Sequence, residues 1–211
     1  MNDEARGGGR QPVMPEDDRR QLILRAAEQV FCASGYGAAT MEEIARACGM
    51  AKKTLYKLFP DKMAVFVALI DSHDNPHFAW EARAEAELHG RQALRTMLME
   101  LARFVLSPRQ ISLTRLVISE AHNTPELARR FYEDCIVRNR AIVAAQIARN
   151  PILPRPPGLD PVAVVDTFVG GTLGILQLKA LMLDMDPDAI QRELEERVDA
   201  TVAVLTTAAG A

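Results

Sequence analysis

Ala45, Gly49 and Leu55 stand at a spacing that commits this stretch of chain to two short helices packed across a tight turn. Ala45 falls where the helices cross, and a larger side chain there pushes them apart. Gly49 takes the turn, which calls for a residue that accepts a positive φ without steric cost. Leu55 faces inward and anchors the second helix. The helix before the turn, Met41 to Ala47, puts Ile44 and Ala45 on its buried side and Glu42, Glu43 and Arg46 on its wet side. An αα-hairpin of any purpose meets part of this pattern, so charge has to be weighed beside it.

The segment that follows the turn reads AKKTLYKLFPDK from Ala51 to Lys62, with four lysines and the single acid Asp61. The chain as a whole is mildly acidic, with 25 basic against 28 acidic residues and a net charge of -3. A basic surface confined to one place on an acidic chain points to a polyanion held there, and double-stranded DNA is the leading candidate. The bland alternative is a solvated lysine face. Lys52, Lys53 and Thr54 lie at the N-terminal end of the second helix, the part that meets base edges in a helix-turn-helix. Lysine donates to guanine O6 and N7, and the threonine methyl meets the thymine methyl. Lys57 suits either bases or phosphates.

Two blocks carry a family resemblance. Ala26-Ala27, Val30-Phe31, Gly35-Tyr36, Ala39-Thr40, Ile44-Ala45 and Gly49 lead into Thr54-Leu55-Tyr56-(x2)-Phe59-(x2)-Lys62, and together these resemble the DNA-binding domain of TetR-type transcription regulators. Arg115 to Ala121, followed by Pro125 to Glu133, is similar to the C-terminal domain of the AefR-like branch. The resemblance implies that Thr40, Tyr56 and Lys62 hold phosphates, which sets register but carries no sequence information. It also implies a homodimer on a palindromic operator. A small-molecule effector inside the C-terminal helices would then change the distance between the two recognition helices, and repression is the commoner outcome.

An all-α fold follows from helical spacing throughout and from the lack of alternating β-branched runs. The expected layout is a three-helix helix-turn-helix domain joined to a larger helical domain, about nine helices in all. Residues 1–15 contain Gly7-Gly8-Gly9 and scattered charge and read as a flexible arm. Arg6 and Arg10 suit a minor groove, although a solvated tail is the favoured reading. Residues 16–74 form the DNA-binding domain, with helices expected at Asp17 to Ser34, Met41 to Ala47, after Ala51, and from Asp61 to about Asp74. Asn75-Pro76 closes it, because the residue before proline avoids helical angles. Residues 75–211 form the effector-binding and dimerisation domain. Residues 77–87 are ambiguous; further helices are expected at about 90–106, 109–121, 125–149, 161–183 and 187–207, with a proline-rich loop at 151–158. No apolar run reaches membrane-spanning length, and the charged N-terminus lacks a signal core, so a cytoplasmic protein is expected.

Glycine inside a helix costs about 1 kcal/mol against alanine, so Gly170, Gly171 and Gly174 ask for a compensating close contact. With Phe168 on the same helix, and Leu194, Val198, Val202 and Leu205 on the next, they are the candidate dimer interface. The rival reading buries both stripes in the chain's own core. Candidate pocket walls are Met97, Leu101, Phe104 and Leu116, with Phe131, Cys135 and Leu176; Glu120 and His122 are the polar candidates. These apolar residues also suit an ordinary core. Their character favours an apolar or amphipathic guest over a sugar or nucleotide. Cys32, Cys48 and Cys135 show no metal-ligand spacing, with Cys32 and Cys48 placed on apolar helix faces. The four histidines complete no Glu-x-x-His pair, and phosphate loops and nucleophile elbows are missing. No catalytic residue, metal or cofactor is therefore expected. The alternatives are an architectural DNA-binding protein without an effector and, a distant third, a helical-bundle enzyme.

Overall fold

The computed structural model describes residues 14–72, 90–149, 161–183 and 186–207. The N-terminal arm before Met14, the Asn75-Pro76 break, the ambiguous 77–87 stretch and the 151–158 loop lie outside the described residues.

Helix α1 (Glu16–Ser34) buries Ile23, Ala26, Ala27 and Phe31 at three- and four-residue spacing. It stops where Gly35, at φ 79°, returns its N–H to the Phe31 carbonyl. Helix α2 (Met41–Ala47) opens on a reciprocal capping box: the Thr40 hydroxyl accepts the Glu43 N–H at 3.2 Å, and the Glu43 carboxylate accepts the Thr40 N–H at 2.9 Å. Gly49 adopts φ 67°, as the turn requires. Helix α3 (Lys52–Leu58) follows, and the Asp61 carboxylate then caps α4 (Lys62–Asp71) by accepting the Ala64 N–H at 2.8 Å. Helix α4 ends at Asp71, short of the expected Asp74, because Ser72 leaves helical angles and its hydroxyl takes the Leu69 carbonyl.

Helix α5 (Gly90–Val105) hands over to α6 (Pro108–Glu120) at Ser107, whose hydroxyl accepts the Gln110 N–H. Pro108 therefore starts the second helix as well as ending the first, since its missing N–H has no partner to lose at the first helical position. Pro125–Phe131, Tyr132–Val137 and Arg138–Arg149 continue without a break as one rod, α7. The expected uniform α-helix is interrupted: residues 132–137 are wound as a π-turn, which the sequence pattern did not announce. Helices α8 (Pro161–Met182) and α9 (Pro187–Thr207) complete the chain, α9 opening where the Asp186 carboxylate accepts the Asp188 N–H. Among the described residues all regular structure is helical, and no helix is long and apolar enough to cross a membrane.

Packing divides the molecule into two cores. The first gathers α1–α4 around interlocked Phe31, Tyr36 and Phe66 rings, with centroids 5.3–6.3 Å apart, and extends to Leu113, Leu116 and Val117 of α6 and Leu127, Phe131 and Cys135 of α7. The second joins α5, the C-terminal half of α7, α8 and α9 through residues such as Leu94, Val143, Leu173 and Leu194. Ion pairs Glu28–Arg109 (2.8 Å) and Asp71–Arg138 (2.6 Å) tie α6 and α7 to α1 and α4. Cys48 is buried as expected, whereas Cys32 faces solvent, since the α1 stripe turns the neighbouring Phe31 inward instead.

Candidate nucleic-acid interface and ligand cavity

Leu55, with 0% of its surface exposed, pins α3 to the first core and leaves the rest of that helix facing out. Lys52, Lys53, Tyr56 and Lys57 are exposed and Thr54 is half-buried. Arg20, which the sequence reading passed over, holds the far end: its guanidinium donates to the Leu58 carbonyl at 3.4 Å and lies 4.6 Å over the Phe59 ring. The recognition surface is thus a short platform fastened at its centre and its C-terminal end.

The four lysines are not equivalent. Lys52 forms an ion pair with Glu42 of α2 at 2.8 Å, and that contact holds the Glu42 carboxyl below its usual range. Lys53 and Lys57 have no partner among the described residues. Lys62 is half-buried and donates to the carbonyls of Tyr36, Gly37 and Ala39, with the last bond at 2.9 Å. An ammonium has three protons, so all three are used inside the chain, and its charge also sits 4.4 Å from the centre of the Tyr36 ring. Burial pushes its pKa down. Lys62 thus fastens the turn between α1 and α2, and the phosphate contact expected of it would compete with these three bonds. That turn is held from the other side as well, where Glu120 at the end of α6 accepts the Gly37 N–H at 3.0 Å. Thr40 is exposed but is engaged by its capping box, so it reaches a phosphate only as part of the α2 terminus.

Of the residues expected to wall a pocket, Leu101, Phe104, Phe131 and Cys135 meet around a cavity of about 200 Å³ between α5, α6, α7 and α8. Met97, Leu116 and Leu176 do not line this cavity: Met97 and Leu176 pack into the second core and Leu116 into the first, away from its wall. Glu120 is likewise removed from the pocket by its bond to Gly37, and His122 is exposed. The polar groups that do reach the cavity among the described residues were missed: Gln110 and Thr114, one turn apart on α6, Asn139 and Arg140 on α7, and Asp166 and Gln177 on α8. Phe131, Cys135 and Asn139 recur every four residues, a spacing that was available to find Asn139. Gln110 Nε2 and Asn139 Nδ2 both donate toward Cys135 Sγ, at 3.9 and 3.6 Å. Burial pushes the Cys135 thiol up, so it stays protonated.

The expected dimer stripe separates into two parts. Leu194, Val198 and Val202 are 0–2% exposed within the chain's own core, where α9 packs on α5, which corrects their assignment to an interface. Gly170 and Gly171 are exposed, Gly174 is half-buried, and a Cβ added to any of them would meet nothing within 4 Å. Ile175, Leu178 and Met182 continue that face outward, Met182 being 72% exposed. The side chains of Phe168 and Leu205 lie outside the described residues.

Residues 23–69 match the family model for bacterial regulatory proteins of the tetR family, and residues 92–208, more than half of the chain, match that of the AefR-like transcriptional repressor C-terminal domain. The HTH-type transcriptional activator FasR of Mycolicibacterium smegmatis is 41% identical over 69 residues, which are 33% of this chain and 32% of that protein. The chain thus spans about a third of the length of that relative. A solved regulator from Mesorhizobium loti, titled as a TetR-family transcriptional regulator, superposes with a TM-score of 0.73 at 25% identity, covering 90% of this chain and 98% of that one. The flavonoid-responsive regulator FrrA superposes at 0.63 with 27% identity, covering 89% and 97%.

Proposed function

The chain belongs to the TetR family of bacterial regulatory proteins, with an AefR-like C-terminal domain, and on that premise we propose that it is a dimeric, sequence-specific DNA-binding regulator released from a palindromic operator by a small molecule. The observation that carries this is the α3 platform: a buried Leu55 under an outward face bearing Lys53, Thr54, Tyr56 and Lys57, with the two unpartnered lysines available for DNA. Lys53 and Thr54 read base edges; Tyr56 and Lys57 hold phosphates. Lys52 contributes after giving up Glu42, an exposed pair that solvent screens and that adds little to stability.

The second copy docks on the outward face of α8, where the glycines admit close backbone approach and Ile175, Leu178 and Met182 supply apolar surface. In this reading residues 16–74 serve DNA, 75–211 serve effector and partner, and 1–15 are an arm. The effector is a small apolar or amphipathic molecule in the 200 Å³ cavity, a role supported by the ligand response that names one structural neighbour. It releases DNA by binding the DNA-incompetent shape more tightly. Repression is the expected output, while an operator placed upstream of a promoter gives activation instead. The reading assigns the chain no reaction.

Selection of bound sequences from a random DNA pool tests it. An inverted repeat is expected, with the tolerated bases changed by Lys53→Ala. Lys57→Ala should weaken all sequences alike and flatten the salt dependence by about one unit of slope. Failure to enrich any sequence, or a monomer mass in light scattering at micromolar concentration, would sink the proposal.

A further inference from the structure

The size and polarity of the cavity narrow its guest, on the reading that this is where the effector sits. A cavity of about 150 Å³ accommodates benzene, so the 200 Å³ here takes one ring with a short substituent. A fused multi-ring scaffold or a long acyl chain would extend out through the open side of the cavity. Leu101, Phe104, Phe131 and Val169 make most of its wall apolar.

Its described polar groups are four neutral side chains, Gln110, Thr114, Asn139 and Gln177, and one charged pair, Arg140 and Asp166. Gln110 is only 8% exposed, and it and Asn139 direct their amide N–H groups at the Cys135 thiol, a weak acceptor at long range. Their carbonyl oxygens accept from no described residue. Thr114 donates to the Gln110 backbone carbonyl at 2.7 Å and keeps its oxygen as an acceptor. The two charged residues in the wall, Arg140 and Asp166, pair with each other. A carboxylate entering here would lose its water without gaining an uncommitted cation, which is costly. A hydroxyl both donates and accepts, so it satisfies a carboxamide oxygen and a carboxamide N–H at once.

We propose that this cavity binds a neutral, hydroxylated single-ring molecule, a phenol, with its hydroxyl toward the Gln110 and Asn139 carboxamides and its ring against the apolar wall.

Calorimetric titration of the full-length protein with 4-propylphenol, 4-propylbenzoate and decanoate tests this. One phenol per subunit should bind at least about tenfold more tightly than either anion. Gln110→Leu and Asn139→Leu should each weaken the phenol by about tenfold and leave propylbenzene unchanged. Where Gln110→Leu lowers the melting temperature enough to compromise folding, half-buried Asn139 carries the comparison. Leu101→Trp, which fills the space, should abolish phenol binding. Equal or tighter binding of benzoate or decanoate, unchanged phenol affinity in the leucine variants, or phenol binding retained by Leu101→Trp overturns the proposal. Affinity for the selected operator, measured on the same preparations, separates the two readings. A phenol that binds as described without altering DNA affinity removes the regulatory reading and leaves the pocket chemistry. A protein that binds its operator but no phenol does the reverse.

Discussion

The core beneath α1–α4 and the cavity behind the π-turn share a wall one residue thick, yet they are built to opposite ends. Phe131 and Cys135 belong to both: they are buried against the first core and line the cavity. On one side the Phe31, Tyr36 and Phe66 rings interlock within the core that also buries Leu55 completely. On the other, apolar walls enclose about 200 Å³. Reading DNA needs a platform held to fractions of an ångström, which dense packing supplies. Accepting a guest needs space, and that space borders on the π-turn.

The largest expected effect breaks the dense side. Phe66→Ala should cost about 3–5 kcal/mol in denaturant unfolding, and a loss under about 1 kcal/mol would mean that the ring cluster is not what seats α3. Next, Lys62→Met removes three charge-assisted bonds from the 36–39 turn and should cost about 2 kcal/mol. The salt dependence of DNA binding should stay as it was; a slope flattened by about one would restore Lys62 to the phosphates.

A matched pair sharpens the contrast directly. Val65→Ile adds a methylene to the filled core and should cost about 1 kcal/mol or more, whereas Val143→Ile adds it to the cavity wall and should change stability by less than about 0.5 kcal/mol. Equal costs would erase the distinction. Thr40→Ala should lose about 1 kcal/mol through the capping box, readable as a lower melting temperature.

The last effect is alkaline and needs no change of packing. Burial, followed by the Asp61 and Glu120 charges, pushes the Tyr36 phenol from 10.0 up to about 12. A raised folded-state pKa means that this contribution is intact below pH 10 and lost as pH climbs through 12. Between those values the native protein should lose stability more steeply than Tyr36→Phe, and parallel melting curves would remove the buried phenol as the cause.

Local chemistry is what could be read in advance. The turn at Gly49, the caps at Thr40, Asp61 and Asp186, and the inward Leu55 are decided by residues within a few positions of one another, so the helix-turn-helix was legible from spacing and charge. The tether of Lys62 was not legible because its three acceptors lie 23–26 residues away, and nothing within its own helix distinguishes a tethered lysine from a free one. The pocket was half legible. Helical periodicity identified apolar residues that could line it, but Met97, Leu116 and Leu176 are as apolar as Leu101 and Phe104. The α9 stripe posed the same ambiguity and resolved inward.

Local sequence is enough to specify helical structure across the described residues, most of the helix starts, and which helix presents lysines outward. Those outcomes follow from backbone hydrogen bonding and side-chain periodicity over one or two turns. Only tertiary packing settles that two lysines of the four have no partner among the described residues, that one apolar stripe is core and another is surface, and that a half-open cavity borders the π-turn. A hydrophobic side chain specifies only that it is buried; which neighbours bury it, and whether they fill the space, depends on helices far apart in the chain.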